Sequence, residues 1–254
     1  LDSLGGRYLV TTDVGSTGRD LEYISQETQY VVGLPITAGG SGDTSIMTGL
    51  GIYMGMKACA KEVWGTDSLK GKRVAMQGFG KVATYTAHHL IKEDSQIVVT
   101  DIDEEALDRA RKLGLPVVAP DEIYDVECDI FSPCALGGVI NPDTIPRITA
   151  RVIAGGANNQ LLTEADGEEL HRRGVLYAPD YLINAGGIIN VSAEIGTPYS
   201  ADRAREKTER IYEIMSRVIQ VSKKEEISIA KAADRIAEQR LASVRAIKTI
   251  YRSR

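Results

Sequence analysis

A glycine-rich turn is the segment of this sequence whose residue types and spacing best suit it to hold a phosphate group. It consists of Gly78-Phe79-Gly80 and leads into a helical segment that contains the small Ala83. Gly78 permits a tight turn, Gly80 lets the backbone approach a pyrophosphate, and Ala83 lets the helix pack closely on the preceding strand. The first N–H groups of the helix and the positive end of its dipole would then face the phosphates. We predict a dinucleotide site made by Gly78, Phe79, Gly80, Lys81, Val82 and Ala83.

An acidic residue stands where the second part of such a site is expected. Asp101 follows a second apolar segment, roughly 20 residues after the glycine turn. A carboxylate there accepts hydrogen bonds from the ribose hydroxyls of NAD and repels the 2′-phosphate of NADP. Asp103 adds negative charge nearby, and no arginine follows directly. A simpler interpretation is that Asp101 only caps the next helix, but the glycine turn upstream favours an NAD site.

Asparagines follow two further predicted strands, where open α/β sheets bind their ligands. Residues 154–160 combine small side chains with Asn158 and Asn159, and residues 184–191 begin with Asn184. Small residues leave room for a ring, and asparagine offers hydrogen-bond donors and acceptors that do not ionise. Both segments also fit polar turns, because Asn and Gly favour turns in any context.

Two apolar residues in the second of these segments are candidates for a pocket wall. Ile188 and Val191 are one helical turn apart, so we expect them to share one face of a helix. That face is either part of the core or one side of an apolar pocket, and the pattern alone favours the core.

An aspartate near the start of the sequence is a candidate acid or base. Asp13 lies in the segment 11–15, directly before Val14-Gly15. An aspartate in such a position commonly belongs to a turn. In the alternative interpretation, Asp13 is a buried carboxylate with a shifted pKa that moves protons around a reacting carbon.

The candidate residues lie on a regular alternation of strands and helices that runs from residue 72 to about residue 191. Its apolar runs lack strict alternation with polar residues, which is typical of parallel strands covered on both faces. We predict a doubly wound parallel sheet of the α/β class, a Rossmann-type dinucleotide-binding domain. The predicted strands are 73–77, 97–100, 129–132, 151–154 and 175–178, and the predicted helices are 82–92, 103–113, 141–147 and 163–173.

Other elements precede and follow this alternation. A short strand is predicted at 8–10, a helix at 18–25 and a linker at 37–43. Apolar and small residues on most faces predict a long helix at 45–63 that is buried between two bodies. Amphipathic spacing predicts two terminal helices over 201–223 and 228–251.

Composition limits the classes of partner. The net charge is −5 at pH 7 and no run of basic residues occurs, which argues against a nucleic-acid partner. No apolar run approaches the length that spans a membrane, and the histidines lack the spacing of metal ligands. The cysteines, none of them in a C-x-x-C pair, suit a reducing, cytoplasmic compartment; they are Cys59, Cys128 and Cys134.

In combination, these segments resemble the amino acid dehydrogenase family. The resemblance is strongest to the leucine/valine/phenylalanine branch, and within it to the leucine-oxidising members. It extends over nearly all of the chain. The matching stretches are 12–15, 78–83, 100–102, 132–137, 153–161 and 177–191.

The resemblance implies a reversible, NAD-linked oxidative deamination of an L-amino acid to a 2-oxo acid and ammonia. It implies that Ile102, Cys134 and Ala135 contact the cofactor together with the glycine turn. Thr48 and Asn159 match positions beside the nicotinamide and the substrate.

The resemblance also assigns the substrate side of the site. Asp13 matches the catalytic aspartate of the family, and Asn184 lies in a matched stretch near the same cleft. Ile188 and Val191 match positions that line the pocket for the amino acid side chain. The partner is therefore expected to be a small amino acid or 2-oxo acid, and the protein a homo-oligomer.

The family's architecture predicts where the domains divide. Residues 1–35 would be the remainder of a substrate domain, residues 36–227 the NAD-binding domain with its linker helix, and residues 228–254 a helix that returns to the substrate domain. The substrate-binding and catalytic lysines of the family lie upstream of the segment that contains Asp13. We therefore expect that part of the substrate domain to be missing from this chain.

Three other functions stay open at this point. A non-catalytic NAD-binding module would bind the cofactor without deaminating an amino acid. A phenylalanine-preferring dehydrogenase would differ only in its pocket, where one methylene shifts preference by roughly 1–3 kcal/mol. A 2-hydroxy acid dehydrogenase would need a histidine paired with a carboxylate near the cleft, and His171 is the only plausible donor.

Overall fold

A computed structural model of the chain describes residues 1–13, 16–196 and 198–250. Val14 and Gly15, which belong to the predicted turn at Asp13, and Tyr251, the last residue of the predicted terminal helix, lie outside the described residues. In the described part of the chain, no helix combines the length and the apolar character needed to cross a membrane.

A parallel sheet forms the centre of the structure and confirms the predicted α/β fold. Its strands are β1 (Arg73–Gln77), β2 (Gln96–Thr100), β3 (Ile130–Pro133), β4 (Val152–Ile153) and β5 (Leu176–Tyr177). The order across the sheet is β2-β1-β3-β4-β5, and every neighbouring pair is parallel. Val74 pairs with Ile97 on one side and with Ile130 on the other. The strand order therefore reverses between β1 and β3, the point at which open α/β sheets bind ligands.

Helices cover both faces of this sheet. Val74 and Met76 belong to one apolar cluster and Ala75 to another, because successive side chains of a strand point to opposite faces. The helices are α1 (Gly18–Ser25), α2 (Thr44–Trp64), α3 (Lys81–Lys92), α4 (Glu104–Lys112), α5 (Glu164–Arg172), α6 (Asp180–Ile183), α7 (Gly186–Ser192), α8 (Ala201–Glu209), α9 (Ile211–Glu225) and α10 (Ile229–Ile250).

The long helix α2 is buried, as predicted, and its glycines let other helices approach closely. A Cβ atom on Gly49 would lie 2.7 Å from Cβ of Tyr85 in α3. A Cβ atom on Gly51 would lie 2.6 Å from the carbonyl oxygen of Ile183, at the end of α6. The start of α7 is close as well, because a Cβ atom on Gly186 would overlap the carbonyl oxygen of Met47. This packing brings the first half of α2 against both α3 and α7.

The predicted helix over 141–147 is wrong, because these residues form turns. Oδ1 of Asn141 accepts hydrogen bonds from the backbone N–H groups of Asp143 and Thr144. Such side-chain bonds compete with the helical bonding pattern. Pro146 also lacks the N–H that a helix interior requires.

The predicted strand at 8–10 is reduced to one isolated bridge between Val10 and Val31. The N–H of Val10 donates to the carbonyl of Tyr30, and the N–H of Val32 donates back to Val10. Pairing ends at Gly33, whose φ of 83° turns the chain out of the extended conformation.

The single helix predicted over 201–223 is divided into α8 and α9. Near the division, the hydroxyl of Thr208 donates to the carbonyl of Ala204 at 2.9 Å. A threonine hydroxyl that bonds back in this way commonly bends a helix. The terminal helix α10 packs on α9 and approaches α5 and β5, with Ala232 and Ala233 buried.

Candidate active site

The carboxyl ends of β1 and β3 meet at the switch point and bring three predicted cofactor residues together. The backbone N–H of Cys134, after β3, donates to the carbonyl of Gln77, at the end of β1, at 2.7 Å. Gly78 has a φ of 92° and a Cβ atom there would lie 2.8 Å from Cβ of Ala135. Gly78 is therefore required both by its backbone conformation and by the loop that follows β3.

The start of α3 is open in the way that a pyrophosphate requires. Gly80 is the N-cap of α3, and within the described chain its helix end has no capping side chain. A Cβ atom on Gly80 would find no heavy atom of the described residues within 4 Å. The first N–H groups of a helix lack partners within the helix, so this end of α3 fits an anionic group.

Asp101 is held at the edge of this opening by the glycine turn itself. Its Oδ2 accepts a hydrogen bond of 2.6 Å from the backbone N–H of Phe79, and its Oδ1 accepts one of 3.0 Å from the N–H of Asp103. The N-cap of α4 is Asp103, not Asp101, because Oδ1 of Asp103 accepts from the N–H of Glu105. The simpler interpretation of Asp101 as a helix cap is therefore wrong.

Two neighbours complete the edge around Asp101. The side chain of Ile102 is 90% exposed and forms an open apolar surface next to the carboxylate. Nη2 of Arg109, on α4, donates to the carbonyl of Phe79 at 3.3 Å. Arg109 is not among the predicted site residues, because nothing in its spacing indicates that α4 returns it to the glycine turn.

The asparagine loop after β4 is fixed by a buried glutamine. Nε2 of Gln160 donates to the carbonyls of Gly155 and Ala157. The backbone N–H of Gln160 donates to Oδ2 of Asp180. Asn159 has a φ of 53°, in the left-handed region that asparagine tolerates better than most residues. The loop is thus held from inside the protein while its asparagines face outward.

The two asparagine segments, which follow β4 and β5, contact each other. Nδ2 of Asn184 donates to Oδ1 of Asn158 at 2.6 Å. The N–H of Gly156 is 3.4 Å from Sγ of Cys134, which links this loop to the one after β3. Burial raises the pKa of the Cys134 thiol, so a neutral thiol lies beside these loops near neutral pH.

Thr48 and the start of α7 lie side by side. Oγ1 of Thr48 donates to the carbonyl of Thr44, and a Cβ atom on Gly187 would lie 2.7 Å from the same oxygen. The two pocket candidates on α7 differ in their surroundings: Ile188 is 63% exposed, whereas Val191 is 3% exposed. The two residues lie one helical turn apart in α7, and Val191 packs near Gly33.

A cleft of about 710 Å³ connects the start of the chain with the glycine turn. Asp13 lines one part of it and Gly80, Lys81 and Val82 line another. The side chain of Asp13 is exposed, so the expectation of a buried carboxylate is wrong. Its backbone N–H donates to the hydroxyl of Ser16, and its carbonyl accepts from the same hydroxyl, each at 2.7 Å.

The remaining histidine candidate lies elsewhere. His171 is exposed in the last turn of α5, whereas the cleft is lined by the segments around Asp13, the start of α2 and the start of α3. The arrangement therefore gives no support to a 2-hydroxy acid dehydrogenase.

Fold and site together define an α/β protein with a Rossmann-type dinucleotide-binding domain. The sequence profile of the family described as Glutamate/Leucine/Phenylalanine/Valine dehydrogenase matches residues 39–107 and 102–248. The chain belongs to this family of amino acid dehydrogenases, which confirms the resemblance. Enzymes of the family depend on NAD or NADP.

Individual relatives extend the match over almost the whole chain. Leucine dehydrogenase from Bacillus cereus is 47% identical over 252 residues, which are 99% of this chain and 69% of that protein. Leucine dehydrogenase from Geobacillus stearothermophilus is 48% identical and covers 99% of this chain and 68% of its own length. The crystal structure of L-tryptophan dehydrogenase from Nostoc punctiforme has a TM-score of 0.83 and 40% identity, covering 96% of this chain and 70% of that one.

Proposed function

We propose that this protein catalyses the NAD-dependent, reversible oxidative deamination of a branched-chain or other apolar L-amino acid to its 2-oxo acid and ammonia. The observation that carries the proposal is the cleft in which Asp13 and the glycine turn face the same space. The identity of 47% to a leucine dehydrogenase supports the substrate class.

The residues around the glycine turn fit NAD. The pyrophosphate would lie on the N–H groups at the start of α3, where Gly80 leaves open space. The adenosine ribose would bond to the remaining lone pairs of the Asp101 carboxylate, which already holds the turn. Negative charge from Asp101 and Asp103 would disfavour the 2′-phosphate of NADP. When bound, the nicotinamide accepts a hydride.

The substrate would lie between Asp13 and the asparagine loops. The α-carbon loses a hydride with its electron pair, the amine nitrogen loses a proton to water, and the amine becomes an imine. Asp13 accepts and returns a proton while water adds to the imine and the resulting carbinolamine loses ammonia. Thr48, Asn159 and Asn184 would orient the substrate and the nicotinamide ring through groups that do not ionise. Ile188 and Val191 would line the side-chain pocket.

We also propose the assembly and compartment. The resemblance to the amino acid dehydrogenase family supports a homo-oligomer. The free thiols Cys59, Cys128 and Cys134 suit the reducing cytoplasm. Light scattering during size-exclusion chromatography measures the number of subunits.

The function is tested by assaying leucine, valine, phenylalanine and tryptophan side by side with NAD and with NADP. We expect NADH formation, with leucine or valine preferred. Asp13→Asn should lower kcat by roughly 10²–10⁴-fold, the usual contribution of a general acid or base, and leave NADH binding unchanged. Glu22→Gln, at an exposed glutamate of the nearby helix α1, is the control.

One alternative function is separated by the same assay. A non-catalytic NAD-binding module would bind NADH and form none from any of the four amino acids. The observation that favours this alternative is the exposure of Asp13, because a buried carboxylate is expected for a general acid or base. Equal kcat values for Asp13→Asn and the parent protein would also reject the proposed role of Asp13.

A further inference from the structure

A carboxylate just after α7 ties together two parts of the chain that are distant in sequence. Oε1 of Glu194 accepts a hydrogen bond of 2.9 Å from the backbone N–H of Gly33 and one of 2.7 Å from the backbone N–H of Ser41. One oxygen thus holds both ends of the segment 33–41, which leads into α2. Hydrogen bonds to a charged acceptor are about twice as strong as neutral ones.

A second side chain of the same region strengthens the connection. Nδ2 of Asn190, on α7, donates to the carbonyl of Ser41 at 3.2 Å, and the hydroxyl of Tyr199 donates to Oδ1 of Asn190 at 2.8 Å. Asn190 is buried, with 1% of its surface exposed. Ser41 is therefore bonded through both its N–H and its carbonyl to the end of α7.

The tied segment joins the parts of the candidate active site. Gly33 lies next to Thr11, two residues before Asp13, since a Cβ atom on Gly33 would lie 2.7 Å from Oγ1 of Thr11. The same Cβ position is 3.4 Å from Cγ1 of Val191, the buried pocket candidate. Ser41 is followed by Asp43, the N-cap of α2, which carries Thr48.

The region around the tie also contains unpaired polar atoms. Oγ1 of Thr11 and Oγ of Ser41 are buried without a hydrogen-bond partner among the described residues. Buried hydroxyls are normally paired. Because these two are not, the segment 33–41 could rotate slightly without breaking a hydrogen bond of either side chain. The bonds from Glu194 to Gly33 and Ser41 oppose such a rotation together with the bond from Asn190 to Ser41.

We propose that Glu194 is a positioning residue for hydride transfer, and this rests on the proposed function. Its carboxylate holds the segment 33–41, which lies beside Thr11 and leads into α2, next to the helix that carries the pocket residues. It does so through Gly33 and Ser41 and without contact to the reacting atoms. Loss of the carboxylate would leave the cofactor turn intact and let the Asp13 segment shift relative to α7.

The tie itself is tested by hydrogen exchange in the full protein. In E194A, peptides that contain Gly33 and Ser41 should exchange their amides about tenfold faster, because these amides lose their acceptor. E194Q should exchange more slowly than E194A, since an amide oxygen still accepts both hydrogen bonds. E213A, at an exposed glutamate of α9, should match the parent. Unchanged exchange at both amides in E194A would overturn the proposal.

The effect on the reaction is tested with leucine that carries deuterium at the α-carbon. E194A should lower kcat by about tenfold or more, because misplacement of about 1 Å costs up to 10²-fold. The primary isotope effect on kcat should rise, the dissociation constant of NADH should stay within about twofold, and E194Q should recover most of the rate. A purely structural role would instead lower the melting temperature and leave kcat per active site and the isotope effect unchanged, which would overturn the proposal.

The two proposals fail in different ways. If the parent protein binds NADH but oxidises no amino acid, the proposed function is rejected and the positioning role falls with it. If the parent protein is active and E194A keeps its kcat and isotope effect, only the role of Glu194 is overturned.

Discussion

The backbone N–H of Phe79 donates a hydrogen bond of 2.6 Å to Oδ2 of Asp101. Phe79 is also held through its carbonyl oxygen, which accepts a hydrogen bond from Nη2 of Arg109. The acid that is expected to bind the ribose is therefore also the anchor of the glycine turn that is expected to bind the pyrophosphate. The phosphate-binding turn and the ribose-binding acid of the candidate cofactor site are therefore joined by a direct hydrogen bond.

Because Asp101 has both roles, removal of its carboxylate should weaken the binding of NADH without improving that of NADPH. Asp101→Ala should weaken NADH binding by roughly 10–150-fold, because a hydrogen bond to a charged group contributes about 1.5–3 kcal/mol. NADPH binding should not improve, because the turn loses its anchor together with the repulsive charge. Fluorescence titration with both cofactors measures this, and Glu105→Gln, on the exposed start of α4, is the control. A variant that gains NADPH affinity would show that Asp101 only selects the cofactor.

The two glycines of the turn should respond differently to a methyl group. Gly80→Ala should keep the stability of the parent, since Gly80 has a φ of −70° and open space at its Cβ position. Its NADH affinity should fall by about tenfold or more, because the methyl group occupies space needed by the pyrophosphate. Gly78→Ala should instead lower the free energy of unfolding by about 1–3 kcal/mol, owing to its φ of 92° and the contact with Ala135. Thermal unfolding and NADH titration of both variants decide the matter, and a reversed pattern would contradict it.

The two pocket candidates on α7 form a second matched pair. Val191→Ala should destabilise the protein by about 1–3 kcal/mol, because Val191 is 3% exposed and packed. Ile188→Ala should change stability by no more than about 0.5 kcal/mol at its exposed position. It should raise kcat/KM for phenylalanine or tryptophan relative to leucine by roughly 10-fold, if its side chain limits the pocket. An unchanged preference in Ile188→Ala would remove Ile188 from the pocket.

Stability at mildly acidic pH should depend on His89. Burial lowers the pKa of His89, and the ring stacks on Tyr53 with centroids 5.0 Å apart. Because the folded pKa lies below the unfolded value of 6.5, the stabilisation is complete above pH 6.5 and is lost as the pH falls towards the folded pKa. Between pH 7.5 and 5.5, the melting temperature of the parent should therefore fall more than that of His89→Gln. His88→Gln, at the exposed neighbour, should follow the parent, and equal slopes for all three proteins would refute the claim.

The sequence predicted those parts of the structure that depend on local patterns. Apolar runs marked β1, β2 and β3, because burial restricts the residue types of a strand. The glycine turn marked the carboxyl end of β1 and Asp101 that of β2. The predicted helix at 141–147 failed because side-chain bonds from Asn141 compete with helix formation and apolar spacing does not register them.

The contacts that join the site could not be predicted in this way. Glu194 meets Gly33 across 161 residues of sequence, and Arg109 meets Phe79 across 30. Each pair is created by how helices pack on the sheet, and neither side chain belongs to a recognisable local pattern. The exposure of Asp13 likewise depends on which surfaces face the cleft, not on its neighbours in sequence.

A crystal structure of the protein with NADH tests the central claim most directly. We predict that the pyrophosphate lies on the N–H groups at the start of α3, within hydrogen-bond distance of residues 80–83, and that both hydroxyls of the adenosine ribose bond to the carboxylate of Asp101. Density for NADH at any other edge of the sheet, or a carboxylate of Asp101 turned away from the ribose, would contradict the account.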